Sequence, residues 1–373
     1  MFASVIDTHK ANLEYSILCG SVSGYQNAIN QGKTGYCWLI SALDVMLDDC
    51  CKEIEFSNIN FQHLVYWDKF ERCLDFFSVL TACVHSNRYD GLEDIIRNFR
   101  LSDEGQWSMA VNIVNKHGIY LANEDSLIDD INTTELNAIL NYSLKGFAIF
   151  ILQNKIQERQ FSKLCNTYMK KVELVLNSYL PQAFCSGVKV LNSFNASNYS
   201  SVFSTSSKEI AYRSGYRVRT QNNMIGNLPS VHFNLEEKDF YEIINKQLKN
   251  KKKVWLSCDA GKFVLWKKGI FDDSLFNISR LFPELVGFTR AEIKKASMAG
   301  MCHAMLIISR VDDYFLVKNT KGAEFGKNGY GIMSRSWFEK FIFQAIVATK
   351  DIEELIKDSR IYDIPEAQFY RNV

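Results

Sequence analysis

Hydrophobic positions along the chain fall into two kinds of spacing. Through the first half they recur every three to four residues, the period of a helix with one buried face. Trp38 to Met46 is such a run, with Leu39, Leu43 and Val45–Met46 on one side. Between residues 59 and 99, His63, Leu64, Tyr66, Trp67, Phe70, Cys73 and Phe77 repeat in the same way, and the charged Asp68, Lys69, Glu71 and Arg72 fall between them. Residues 134–178 continue the helical texture through Leu140, Leu144, Ile149 and Phe150, then Leu164, Met169 and Val172.

From about residue 185 the texture changes. Ser- and Asn-rich pieces (Asn192 to Ser207, Asn222 to Pro229) read as loops between short strands. Val254 to Asp259 reads as a strand. So do Ala304–Ser309, Tyr314–Lys318 and Tyr330–Met333, with charged turns between them. Glu236–Lys249, most of Phe271–Lys295 and Ser336–Ala348 are expected to be helical, followed by a polar tail. The pattern predicts an α+β protein. Residues 1–180 carry a leader, the Cys37 helix and a helical insertion. Residues 181–373 carry the β-rich part and a C-terminal arm, in one intertwined unit.

Composition narrows the function classes. The chain has 373 residues, 47% hydrophobic and 23% charged, with a formal net charge of +1. No bulk charge points to nucleic acid or to a membrane surface, and neither is expected as a partner. Lys251-Lys252-Lys253 reads as a solvated helix end. Ten cysteines show no CxxC pair, and the six histidines are scattered, so reduced thiols and no metal or cofactor are expected. The N-terminus lacks the apolar segment of a signal peptide, and the longest apolar run, Phe147 to Leu152, is too short to span a bilayer. A cytosolic protein is expected.

The candidate chemistry starts at Cys37. A Gly-containing loop, Asn30-Gln31-Gly32-Lys33-Thr34-Gly35, runs straight into the helix that Cys37 opens. Unpaired N–H groups and the positive end of the helix dipole favour a thiolate there. The Gln31 amide can turn a hydrogen-bond donor toward the same developing oxyanion. A thiol nucleophile needs a base, and the base needs an orienting group. His303 opens one strand, Asn319 closes the next, and antiparallel pairing brings the two together. Gly105 stands in a loop just before a helix, where a second backbone can approach closely.

These residues carry a family resemblance. Gln31 and Cys37-Trp38, His303 and Asn319, in that order, resemble the papain-like cysteine proteases, and in particular the bleomycin hydrolase and aminopeptidase C family. Tyr66-Trp67-Asp68-Lys69 with Glu71-Arg72-Cys73, Gly105-Gln106-Trp107, Val254-Trp255 through Lys262, and Trp337-Phe338 resemble further blocks of that family. The likeness covers roughly residues 20–350. His303 and Asn319 lie much further beyond Cys37 than the about 130–150 residues of the secreted pattern, as a branch with a large helical insertion requires.

The resemblance implies a thiol aminopeptidase acting on short peptides. Cys37 would be the nucleophile, His303 the general base and acid, and Asn319 its orienter. Gln31 would complete the oxyanion hole and Gly105 would pair with substrate. A C-terminal arm would lie in the cleft, the Val373 carboxylate meeting the substrate's free amino group. This arm would take the place of an inhibitory pro-segment, for which the stretch before Cys37 leaves little room. The resemblance also implies a homo-oligomer, often a hexamer. Two positions depart from the family pattern: Asn-Ser-Trp-Gly is here Asn319-Thr320-Lys321-Gly322, and an expected double glycine is Glu104-Gly105. The alternative reading is a catalytically impaired oligomer that binds peptides or acts as a scaffold.

Overall fold

The computed structural model describes residues 6–86, 88–123, 131–184, 186–205, 207–218, 224–226, 229–284 and 287–372. The first half is helical: Thr8–Ser21, Cys37–Cys50, Phe61–His85, Tyr89–Asn98, Trp107–His117, Thr133–Asn154 and Glu158–Tyr179. These helices share one apolar core that runs from Tyr36 and Leu39 through Leu64, Phe76, Val111 and Phe147 to Leu176. The Cys37 helix is buried without a break from Cys37 to Leu47. A helix apolar on every side must be enclosed, and this one lies between helix Trp107–His117 and the strands Val254–Cys258 and His303–Val311.

Those strands belong to an eleven-stranded sheet. Its middle runs, in spatial order, Tyr199–Phe203, Ile342–Ala348, Val254–Cys258, His303–Val311, Tyr314–Lys318 and Tyr330–Met333, all neighbours antiparallel. Side chains alternate between the two faces. Phe315 and Val317 pack with Trp337 and Phe338 on one side, while Leu316 packs with Leu18 and Ile332 on the other. Helix Thr8–Ser21 thereby closes the far face of the sheet.

Three expectations are corrected. Ser336–Ala348 is helical only over Arg335–Phe341; Ile342–Ala348 is a central strand. That strand is buried on both faces, so it shows no alternation to distinguish it from an apolar helix. Among its described residues Phe271–Lys295 is mostly irregular, with short 3-10 turns at Asp273–Leu275 and Ile278–Arg280 and an α-helix at Arg290–Lys295 opened by a Thr289–Glu292 capping box. The C-terminal segment is ordered as helix Thr349–Ile356, strand Ile361–Asp363 and helix Glu366–Asn372. Phe369 of that last helix is fully buried against Phe203 and His232.

Lys252 pairs with Asp49, and Lys253 with Asp44 at 2.7 Å and Asp48 at 3.3 Å, so two of these three lysines are spent on the Cys37 helix. No helix among the described residues is long and apolar enough to cross a membrane.

Candidate active site

The loop before Cys37 is held from two sides. The Gln31 N–H donates to the Thr320 carbonyl at 2.8 Å. The Gly35 N–H donates to the Asp103 carboxylate at 3.0 Å. Cys37 then opens its helix, and Tyr36 before it makes no side-chain cap. The first-turn amides are left to face an anion. The Trp38 N–H points at the sulfur, as does the Ala304 N–H from the adjoining strand, 3.4 Å away. Burial pushes the thiol up. The His303 imidazole and these two amides more than offset it, and the net shift is downward.

His303 is the first residue of its strand, and Asn319 follows the last residue of the next. The antiparallel register places the His303 Nε2 2.7 Å from the Asn319 Oδ1. The same oxygen accepts the Thr320 N–H at 2.7 Å, which fixes the amide's orientation. With Nε2 committed, Nδ1 is the ring nitrogen left for the thiol. Burial pulls the imidazole down, but the Cys37 thiolate and the Asn319 oxygen raise it above its ordinary value. The opposed shifts at Cys37 and His303 both favour a thiolate–imidazolium pair. The Lys321 ammonium works against it by lowering His303.

Gln31 is nearly inaccessible. Its Oε1 accepts the Thr320 hydroxyl, and its Nε2 donates to the Thr34 carbonyl at 2.5 Å. An amide nitrogen has two protons, so one remains for the cleft that Gln31 lines with Cys37, His303, Lys321 and Gly105. That cleft encloses about 1640 Å³. Gly105 lies against the Trp38 indole: a Cβ there would stand 2.3 Å from Trp38 Cε2. The glycine is therefore required by a neighbouring ring. Val373 lies outside the described residues, but Glu366, Tyr370 and Arg371 of the C-terminal helix line the cleft.

The sequence profile of the Peptidase C1-like family matches residues 9–178 and 176–363. The chain belongs to that family. This C1-like peptidase is 26% identical over 370 residues to aminopeptidase C of Lactobacillus delbrueckii subsp. lactis, covering 90% of this chain and 81% of that one. It is 24% identical over 404 residues to bleomycin hydrolase of Gallus gallus, covering 94% and 88%. The crystal structure of PepW from Lactobacillus rhamnosis HN001 superposes with a TM-score of 0.76 at 22% identity, over 91% of this chain and 85% of that one. The protein is a cysteine-type peptidase of papain-like α+β fold.

The loop and helix start at Cys37 are braced by charges that helical spacing hid. Asp68, Lys69 and Glu71 are fully buried, contrary to a charged face lying between core positions. Lys69 Nζ donates to Asp103 at 2.7 Å, Arg72 Nε donates to Asp68 at 2.9 Å, and the Tyr36 hydroxyl donates to Asp68 at 2.9 Å. Asp103 also accepts Thr133 at 2.6 Å and Asn137 at 2.7 Å, and its carbonyl accepts the Trp38 indole N–H at 2.6 Å. Lys69 holds the Asp103 carboxyl at about 2 against the push of burial. Asp68 is four residues after Leu64 and Lys69 four after Val65, and both of those apolar residues are fully buried.

Proposed function

We propose that this C1-like peptidase removes N-terminal residues from short peptides through an acyl-enzyme on Cys37. The observation that carries the reading is the line Cys37, His303, Asn319 at the wall of an open cleft, with a lowered thiol facing a raised imidazole. The thiolate attacks the scissile carbonyl carbon. The oxyanion that forms is received by the Cys37 N–H and the spare Gln31 Nε2 proton. His303 passes its proton to the leaving amine, the C–N bond breaks, and a thioester remains. Water then loses a proton to His303 and attacks the thioester, releasing the acid and restoring Cys37. Asn319 keeps the imidazole in one tautomer and one plane throughout.

Attack at chain ends is supported by the helix Glu366–Asn372 lining the cleft, with the Gln106 Nε2 donating to the Tyr370 hydroxyl at 3.2 Å. A segment seated there shortens the room for substrate. A carboxylate at Val373 facing the substrate's amino group, the Gly105 backbone pairing with substrate, a cytosolic setting and a homo-oligomeric assembly complete the proposal. Relatives named aminopeptidase C point the same way.

The test is a panel of aminoacyl fluorogenic amides with free and blocked amino groups, run beside Cys37→Ala. Turnover of free-amine substrates alone, lost in the variant, is expected. Turnover of blocked substrates as well would replace the exopeptidase reading with an open-cleft endopeptidase. No turnover by folded, reduced protein would leave a peptide-binding or scaffold protein.

A further inference from the structure

Asn319-Thr320-Lys321-Gly322 runs back along the loop before Cys37. Lys321 pairs with Asn30 as an antiparallel bridge, the Gln31 N–H reaches Thr320 O at 2.8 Å, and the Gly322 N–H reaches Ile29 O at 3.2 Å. At Gly322, φ is +61° and a Cβ would stand 2.9 Å from Asn30 Cβ, so the two loops pack closely there. The Lys321 side chain is half-buried at the cleft. Its Nζ makes one long bond, 3.4 Å to the Gly32 carbonyl.

An ammonium has three donors, and no carboxylate among the described residues lies within ion-pair distance of this one. Arg100, Lys294 and Arg371 also line the cleft, while three other nearby cations are paired. Lys318 pairs with Asp44 at 2.6 Å, Lys253 with Asp44 at 2.7 Å and Arg72 with Asp68 at 2.9 Å. Lys321 instead lines the cleft with Cys37 and His303, within electrostatic reach of both.

The side of the cleft follows from the reaction. His303 hands its proton to the departing amine, so the departing residue lies against His303 and the loop that follows Asn319. We propose that Lys321 binds a carboxylate on the leaving-group side of the scissile bond, so that the peptidase favours substrates whose first departing residue is acidic or is the free end of a dipeptide. This rests on the peptidase reading above and adds a substrate class to it. A charge-assisted hydrogen bond at a partly desolvated site corresponds to a preference of about tenfold.

The experiment compares kcat/KM for Ala-Ala against Ala-Ala-amide, and for Ala-Glu-amide against Ala-Gln-amide, in wild type, Lys321→Met and Lys321→Arg. A carboxylate preference of about tenfold in at least one pair is expected, falling to near unity in Lys321→Met and retained in Lys321→Arg. A preference confined to the first pair assigns the main-chain carboxylate, and one confined to the second assigns a side chain. Equal rates within both pairs in wild type, or a preference that survives Lys321→Met, overturns the proposal. If none of the four is hydrolysed, the aminopeptidase reading fails, and protection of Cys37 from iodoacetamide by the same peptides decides the carboxylate question. Equal protection by acid and amide would then overturn it.

Discussion

The Asp103 carboxylate accepts the Gly35 N–H at 3.0 Å, two residues before the cysteine that opens the central helix. The same group neutralises Lys69, whose side chain is wholly buried. Asp103→Ala leaves that ammonium without its ion-pair partner and frees Gly35. Removing one member of a buried ion pair costs about 3–5 kcal/mol. The variant should unfold at clearly lower urea, and a midpoint unchanged from wild type would refute the role given to Asp103.

The same carboxylate sets an acid limit. Its folded pKa of about 2 lies below the ordinary aspartate value of about 3.9. A depressed pKa contributes stability that is fully present above the unfolded value and is lost as pH falls through the folded one. Wild type should therefore lose stability between about pH 4 and pH 2. Asp103→Asn, which cannot titrate, should show a shallower loss over that window in pH-stepped urea melts.

The helical and strand-forming halves were legible because spacing reports which face is buried. That Gln31, Cys37 and His303 share one cleft, with Asn319 hydrogen-bonded to His303, was legible because a thiol at a helix start and an imidazole and amide on successive strands are a distinctive set. Two things escaped. Ile342–Ala348 is buried on both faces, and a strand of that kind has no period. Asp68 and Lys69 sit in register with Leu64 and Val65, but their charge argued for the surface. Partners such as Arg72, Tyr36 and Asp103 make burial tolerable, and Tyr36 and Asp103 are supplied from outside that helix. Long-range compensation of this sort cannot be read from one segment.

Gly105→Ala tests how closely the cleft wall is built. The added methyl would meet three atoms of the Trp38 indole at 2.3–2.6 Å. Overpacking of this kind costs about 1–3 kcal/mol. It also pushes on Trp38, the residue next to Cys37. A lower melting temperature together with a fall in kcat/KM is expected. A fall in activity at unchanged stability would mean that Gly105 acts on substrate and not through Trp38.

Asn319→Ala removes the acceptor that holds the His303 Nε2 at 2.7 Å. The imidazole stays chemically competent but loses its fixed plane and tautomer. The fall in kcat should be about 10- to 100-fold, smaller than the roughly 10²–10⁴ expected when general acid–base catalysis is lost outright. His303→Ala is the comparison, and equal losses in the two variants would deny Asn319 a merely orienting role.

The pH profile isolates the electrostatic effect of Lys321. On the mechanism proposed above, activity needs Cys37 as thiolate and His303 as imidazolium, so it rises as the thiol ionises and falls as the imidazolium loses its proton. A cation beside the pair favours the thiolate and disfavours the imidazolium. Its removal in Lys321→Met therefore raises both groups, and both limbs of the bell should move to higher pH. The rate of Cys37 alkylation by iodoacetamide, followed across pH, reads the acid limb without any substrate. Limbs that stay in place, or move to lower pH, would mean that the Lys321 ammonium does not act on the Cys37–His303 pair.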